Sequence, residues 1–281
     1  KSRRIRKKIK LSYQRALVLF ENSNSKGTAP TPPKGHLYPC INCAGSGLLR
    51  SEDDTISNED YPNIAIIGGG IGGVALAVAC LHRGIPFTLY ERDLTFDTRS
   101  QGYGLTLQQA SKAIKGLGIL SLKKGIVSTR HVVHTTEGKI IGEWGIRKWL
   151  QSEENTFSKH TNIHISRQAL RLALLEQLNG NKNIKWGHQL VDLKKNKKEN
   201  LELSFKVNGD IIKETPDLVV AADGIRSSIR RLMIGEDATP LRYLGCIVIL
   251  GVCPLNSIKA EATDLLDSAT VFQTANGNER I

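Results

Sequence analysis

The stretch "IAIIGGGIGGVALAVACL", Ile64 to Leu81, runs eighteen residues without a charge, and the fold open to the chain depends on how it is read. By length alone it reaches the roughly eighteen apolar residues of a membrane-spanning helix. Its interior argues against that, because five of the six positions from Gly68 to Gly73 are glycine, and each costs a helix roughly 0.8 to 1 kcal/mol relative to alanine. Split in two, the segment reads as a short buried strand over 63–67, a glycine turn, and a helix from Ile71 to Arg83 that closes on Gly84. Gly68, Gly70 and Gly73 then fit G-x-G-x-x-G between strand and helix, with Gly72 inside the same loop. In that arrangement the first glycine makes the turn, the second lets a pyrophosphate approach the backbone, and the third lets helix and strand pack closely. The free N–H groups and dipole of the helix N-terminus favour an anion there.

The next strand, 87–90, ends in Glu91, eighteen residues after Gly73 and followed by Arg92. A carboxylate at that strand end accepts both hydroxyl protons of an adenosine ribose. Beyond it the sequence predicts a helix over 108–117, a hairpin over 130–145, and a helix capped by Ser166 and stopped by Gly180. A small antiparallel meander turning at Asn208-Gly209 follows, then a buried strand over 217–222 that ends in Asp223-Gly224. A simple NAD enzyme would continue with alternating strands and helices. An inserted hairpin and meander are what flavoproteins carry.

Composition bounds the rest. The chain has 281 residues, 40% hydrophobic and 23% charged, which is globular and long enough for one large or two ordinary domains. The net charge of +12 is concentrated at the start: residues 1–20 hold eight Lys or Arg and no acid, which leaves +4 for the remainder. That run reads as a solvated, disordered arm, and no nucleic-acid motif accompanies it. The apolar run Ala16 to Phe20 is too short for the core of a secretory signal, so the chain reads as not secreted, cytoplasmic or organellar. Five cysteines, an odd number, point to a reducing compartment; Cys80, Cys246 and Cys253 read as packing residues. Lys1 in place of methionine, and a last stretch that looks like the middle of a segment, read as a fragment cut at both ends.

Residues 21–61 are rich in Ser, Asn, Pro, Gly and acid and read as a linker or extension. Within them "CINCAGSG" resembles one copy of the CxxCxGxG element of DnaJ-type zinc domains, with Cys40 and Cys43 as its thiol pair. Two thiolates fill half of a tetrahedral zinc site, so no metal, or only weakly held zinc, is expected. His82, His131, His134, His160, His164 and His188 pair with no nucleophile or metal set and read as structural.

Over residues 61–281 the chain resembles the class A flavin-dependent aromatic monooxygenases, the family of para-hydroxybenzoate and salicylate hydroxylases. The resemblance rests on the glycine fingerprint with Glu91, on Asp223-Gly224 in "DLVVAADGIRSSIRR", and on Arg167 before Leu170 in an R-x-x-L helix start. It implies an α/β fold, a GR2-type Rossmann-like FAD-binding domain over 61–128 and 159–234. This is interleaved with a mixed β-sheet substrate domain over 129–158 and 235–281 that is incomplete at the C-terminus, all behind an extension over 1–60. Gly68, Gly70, Gly72, Gly73, Glu91 and Arg92 would hold the ADP half of FAD, and Arg167 would reach the cofactor, with Arg99 a further candidate near Gly102-Tyr103-Gly104. Asp223 and Gly224 would serve both FAD and NAD(P)H.

The implied activity is an NAD(P)H- and oxygen-dependent hydroxylation or epoxidation of a small, aromatic organic substrate. No catalytic side chain is nominated, because the cofactor does the hard chemistry. The family's later Gly-Asp motif has no counterpart before Ile281. A related flavin reductase or dehydrogenase, and a non-catalytic flavoprotein fold with a zinc- or protein-binding extension, are the alternatives.

Overall fold

The computed structural model describes residues 3–23, 27–33, 40–43, 47–49, 60–98, 103–108, 110–128, 130–145, 162–178, 180, 183–196 and 199–245, then 247, 249, 254, 257, 270–274 and 276. The chain divides into two compact units, Lys1–Gly45 and Ser46–Ile281.

In the first unit the basic run is a helix, α1 (Arg3–Asn22), and not the disordered arm that its charge suggests. The segment contains no Gly or Pro, its Lys and Arg are good helix formers, and Ile5, Ile9, Tyr13 and Leu17 recur every four residues. Cys40 is exposed and Cys43 half-buried. Among the described residues no group of three or more His, Cys, Asp or Glu side chains is placed to hold a metal.

The second unit opens with strand β1 (Ile64–Ile67), helix α2 (Ile71–Leu81) and strand β2 (Phe87–Tyr90). A 3-10 turn (Phe96–Thr98), β3 (Gly104–Thr106), α3 (Ala110–Gly116), β4 (Ile126–Val127), the hairpin β5 (Arg130–His134) and β6 (Ile140–Gly145), β7 (Ile163–Ser166) and α4 (Arg167–Glu176) follow. The rest comprises β8 (Ile184–Lys185), the meander β9 (Gln189–Lys195), β10 (Leu201–Val207) and β11 (Asp210–Glu214), then β12 (Leu218–Ala221), α5 (Ser228–Ile234) and β13 (Thr270–Thr274). Among the described residues these strands form four sheets, ordered β12-β1-β2-β8, β11-β10-β9, β13-β5-β6 and β3-β7-β4.

The first sheet is parallel, with Ile64 opposite Phe87 on one side and Leu218 on the other. Both faces of β1 are covered. Ile64 and Ile66 pack with Val74 and Val78 of α2 and Leu170 and Leu174 of α4, while Ala65 and Ile67 pack with Leu203 and Phe205 of the meander. Tyr90 stacks on Phe205 with ring centroids 4.3 Å apart. Burial on both faces is why β1 reads as an unbroken apolar run.

The structure moves several expected boundaries. α2 ends at Leu81, and Gly84, at φ +62°, completes a Schellman closure in which Gly84 N–H donates to Leu81 O and Ile85 N–H to Cys80 O. α3 is shorter at both ends than 108–117. β12 is not a buried strand: its residues are half-buried or exposed, because among the described residues it pairs with β1 alone and forms the sheet edge. The Asn208-Gly209 turn has positive φ at both residues, as a type I′ hairpin requires. Ser166 ends β7 and caps α4, its Oγ accepting from Ala169 N–H at 3.1 Å. Cys80 is buried, which pushes its thiol pKa up; Cys246 and Cys253 lie outside the described residues.

Candidate functional site

The ends of three parallel strands set the site. Gly68 N–H donates to Tyr90 O at 2.8 Å and Ala222 N–H to Ile67 O at 2.8 Å, so the loops leaving β1, β2 and β12 emerge side by side. This is the carboxyl edge at which open α/β sheets bind ligands. Gly68 turns the chain at φ +110°, where a Cβ would overlap Ala222 O, and a Cβ on Gly73 would overlap Gly68 O. These two glycines are required by the protein's own packing.

Gly70 and Gly72 differ. Both are exposed, and nothing lies within 4 Å of where a Cβ would stand on either. Gly70 is the N-cap of α2, with no side chain to cap it and no acid in the first turn. The resulting cradle is lined by backbone, electropositive and open to an anion.

Glu91 is buried at the end of β2. Its Oε2 accepts from Gly69 N–H at 2.8 Å and its Oε1 from Asp93 N–H at 3.1 Å. Each carboxylate oxygen accepts more than one hydrogen bond, so both keep capacity for a ribose hydroxyl. Arg92 follows, exposed.

α4 contributes the residue that sequence reasoning missed. Arg171 is only 8% exposed. Its Nε–H donates to Gly69 O at 2.6 Å, and its Nη2 lies 3.7 Å from Glu91 Oε2 without a hydrogen-bond partner of its own. The guanidinium sits over the rings of Phe96 and Trp186, at 5.2 and 5.5 Å from their centroids. Gly69 is thus held from both sides, its N–H by Glu91 and its carbonyl by Arg171. The available signal was weak: in "RQALRLALLEQL" Arg171 falls between Leu170 and Leu174, beside the apolar stripe, but nothing local distinguishes it from a solvated arginine.

Arg167, one turn earlier, is half-buried; its Nη1 donates to Tyr103 Oη at 2.8 Å and its guanidinium lies 4.9 Å from that ring. Gln168 Nε2 donates to Phe96 O at 3.0 Å. The first turn of α4 therefore holds the segments on either side of Arg99, which itself lies outside the described residues.

Asp223 splits its carboxylate. Oδ2 accepts from Ser228 N–H at 2.7 Å, with Ile229 N–H at 3.3 Å, and so caps α5, while Oδ1 is buried with no partner. Gly224 beside it takes φ +81° with open space around its Cβ position. An orphaned buried carboxylate oxygen costs free energy unless a ligand donor meets it. The residues present fit a dinucleotide: an open cradle at Gly70 and Gly72, carboxylate capacity at Glu91, and an unmet acceptor at Asp223.

The fingerprint glycines, Glu91, Arg92, Asp223 and Gly224 therefore stand at one edge of the sheet, while Arg167 is tied to Tyr103. His164 lies elsewhere, its Nδ1 2.9 Å from Thr106 Oγ1, as does His131, whose Nε2 is 3.0 Å from Ser128 Oγ.

The family model described as FAD binding domain matches residues 61–244. A chloroplastic zeaxanthin epoxidase of Oryza sativa subsp. japonica is 26% identical over 65% of this chain and 28% of its own length. An FAD-dependent monooxygenase of Hypocrea jecorina is 28% identical over 70% of this chain and 42% of its own. The chain thus spans less than half the length of these curated relatives. Among solved structures, the 2,6-dihydroxypyridine-3-hydroxylase of Arthrobacter nicotinovorans superposes with a TM-score of 0.51 at 20% identity, covering 63% of this chain and 41% of that one. This likeness is one of fold.

Proposed function

Because the chain belongs to the family of FAD binding domains, we propose that its glycine cradle holds FAD as part of an NAD(P)H- and oxygen-dependent monooxygenase acting on a small, aromatic or alkene-bearing substrate. One observation carries the reading: of the fingerprint glycines, Gly68 and Gly73 are closed by the protein's own backbone, while Gly70 and Gly72 face open space at an uncapped helix N-terminus. A tight turn needed only for folding explains the first two and not the second. The names of the relatives, monooxygenases and an epoxidase, support the oxygen-transferring class over a reductase.

In this reading the pyrophosphate rests on the N–H groups opening α2, and Glu91 accepts the adenosine ribose hydroxyls. Arg167 reaches the cofactor from the start of α4, with Arg99 and Arg92 as neighbouring cations. Asp223, through its unmet Oδ1, and Gly224 serve both FAD and the passing NAD(P)H. When bound, FAD supplies the redox chemistry, taking a hydride from NAD(P)H and activating oxygen for transfer to a ring or alkene. The protein positions the cofactor and excludes water. The substrate domain is assigned to 129–158 and 235–281, interleaved with the FAD-binding segments 61–128 and 159–234. The odd number of cysteines, five, favours a reducing compartment, cytosolic or organellar.

The test is flavin absorbance retained through gel filtration, followed by anaerobic reduction with NAD(P)H. Wild-type chain is expected to take up FAD. Glu91→Ala removes charge-assisted acceptors worth roughly 1.5 to 3 kcal/mol each and is expected to weaken uptake about ten- to a hundredfold. Asp223→Ala is expected to slow reduction as well. A wild-type chain that takes up no flavin, or a Glu91→Ala chain that holds it as tightly, overturns the assignment.

A further inference from the structure

α1 belongs to the first compact unit, and its composition is unlike the rest of the chain. Its twenty residues make a rod roughly 30 Å long at 1.5 Å per residue. At 3.6 residues per turn, Ile5, Ile9, Tyr13, Ala16, Leu17 and Phe20 fall on one stripe. Arg4, Lys7, Lys8, Lys10 and Arg15 fall outside it, all exposed, and Lys8 and Lys10 flank its two sides. No acid appears before Glu21. Within the stripe Ile5 is 48% exposed, and Ile9, Tyr13, Ala16, Leu17 and Phe20 are half-buried.

We propose that α1 is an interfacial anchor that lies along an anionic phospholipid surface, apolar stripe toward the acyl chains and cations at the phosphates. A helix with a strongly cationic face, low overall hydrophobicity and an aromatic and aliphatic opposite face is the form that settles in a bilayer interface. Lys8 and Lys10, beside the stripe, are placed to extend their amines to the headgroups while their stems stay on apolar ground. The helix lies on the surface and does not cross, since no described helix is long and apolar enough to span. A nucleic acid would use the cations and leave the stripe without a role. The occupant that uses both faces over the whole length is a lipid surface carrying negative charge. This inference stands apart from the flavin site: either can fail without the other.

The experiment is flotation of the full chain with vesicles of phosphatidylcholine alone, or with about a third phosphatidylserine. The chain is expected to float with the anionic vesicles and not the neutral ones, and to be released in high salt. Replacing Lys7, Lys8 and Lys10 with Gln is expected to lower partitioning roughly a hundredfold, about fivefold per cation. Ile9→Ala with Leu17→Ala keeps a strong helix former at both positions and is expected to lower it roughly tenfold or more through lost apolar burial. Melting of the flavin-binding unit should be the same in all variants, which separates loss of the anchor from misfolding. Absence of flotation with anionic vesicles overturns the proposal. So does binding that survives the Ile9 and Leu17 changes, or a duplex RNA that strips the chain from vesicles equally well with and without them; either result marks a polyanion site instead.

Discussion

The nucleotide side of the second unit and the β13-β5-β6 sheet differ in how completely they are covered. In β1 all four residues are buried, because α2 and α4 cover one face and the meander the other. In β6, Ile140, Ile141 and Trp144 stand 50%, 63% and 55% exposed, and within β5 Val132 and His134 are the buried positions. The lesson concerns tolerance. Where both faces are covered and glycine is packed against backbone, almost any change should be felt, and where a strand's side chains stand exposed, similar changes should pass.

The largest expected effect is Gly73→Val. Its Cβ would overlap Gly68 O, a backbone atom that moves only with the whole turn, so a loss of at least about 3 kcal/mol is expected, a fall in Tm on the order of 10 °C. A normal thermal melt for this variant would break the comparison at its strongest point. Arg171→Met comes next, because it leaves Gly69 O and the buried Glu91 carboxylate without their cation. A loss of about 2 to 4 kcal/mol in urea unfolding is expected. In a double-mutant cycle with Glu91→Gln the two losses should not add; additive losses would mean that Arg171 acts by packing on Phe96 and Trp186 alone.

Gly70→Val sharpens the contrast within the loop itself. With open space around the site, the cofactor-free protein should lose no more than about 1 kcal/mol, yet flavin uptake should disappear, because a branched side chain would fill the cradle. Ile141→Thr, at a position of β6 that is 63% exposed, should stay within about 0.5 kcal/mol of wild type.

The smallest effect is a dependence on pH. His82, after α2, and His164, on β7, are both held below the ordinary histidine pKa, chiefly by burial, with Arg83 and His131 respectively adding to it. Both fold more readily when neutral. Their contribution is complete above the unfolded value of about pH 6.5 and is lost as pH falls through it toward the lowered folded values. Unfolding free energy should therefore be lower at about pH 5 than at about pH 7.5, and His164→Gln should flatten part of that slope.

What was legible in the sequence was local. The glycine turn, Glu91 at its strand end, the Ser166 cap and the Asn208-Gly209 hairpin are each written in a few consecutive residues whose backbone geometry admits few alternatives. Arg171 was not legible because its burial depends on Phe96 and Trp186, brought to it from 75 positions before and 15 after in the chain. β12 looked like a buried strand because its apolar run says nothing about which neighbours it will have. α1 was hidden by its charge, which dominates composition while the four-residue apolar spacing sits beneath it. Asp223 shows a different limit: its motif points to a ligand, and the structure gives one carboxylate oxygen to the N–H groups opening α5 and leaves the other unmet.

The pairing of β1 with β12 has a consequence for the order of events in folding. Asn63 N–H meets Asp217 Oδ2 across 154 residues, whereas the hairpin at Asn208-Gly209 closes between adjacent strands. Hairpins form in microseconds and distant strands are slow to find each other. The turn and first helix of the cradle can form early, but Asp223 and Gly224 reach it only when that long loop closes. A nucleotide present during refolding should then find its full site only after the rate-limiting step. It should slow unfolding while leaving the folding rate nearly unchanged.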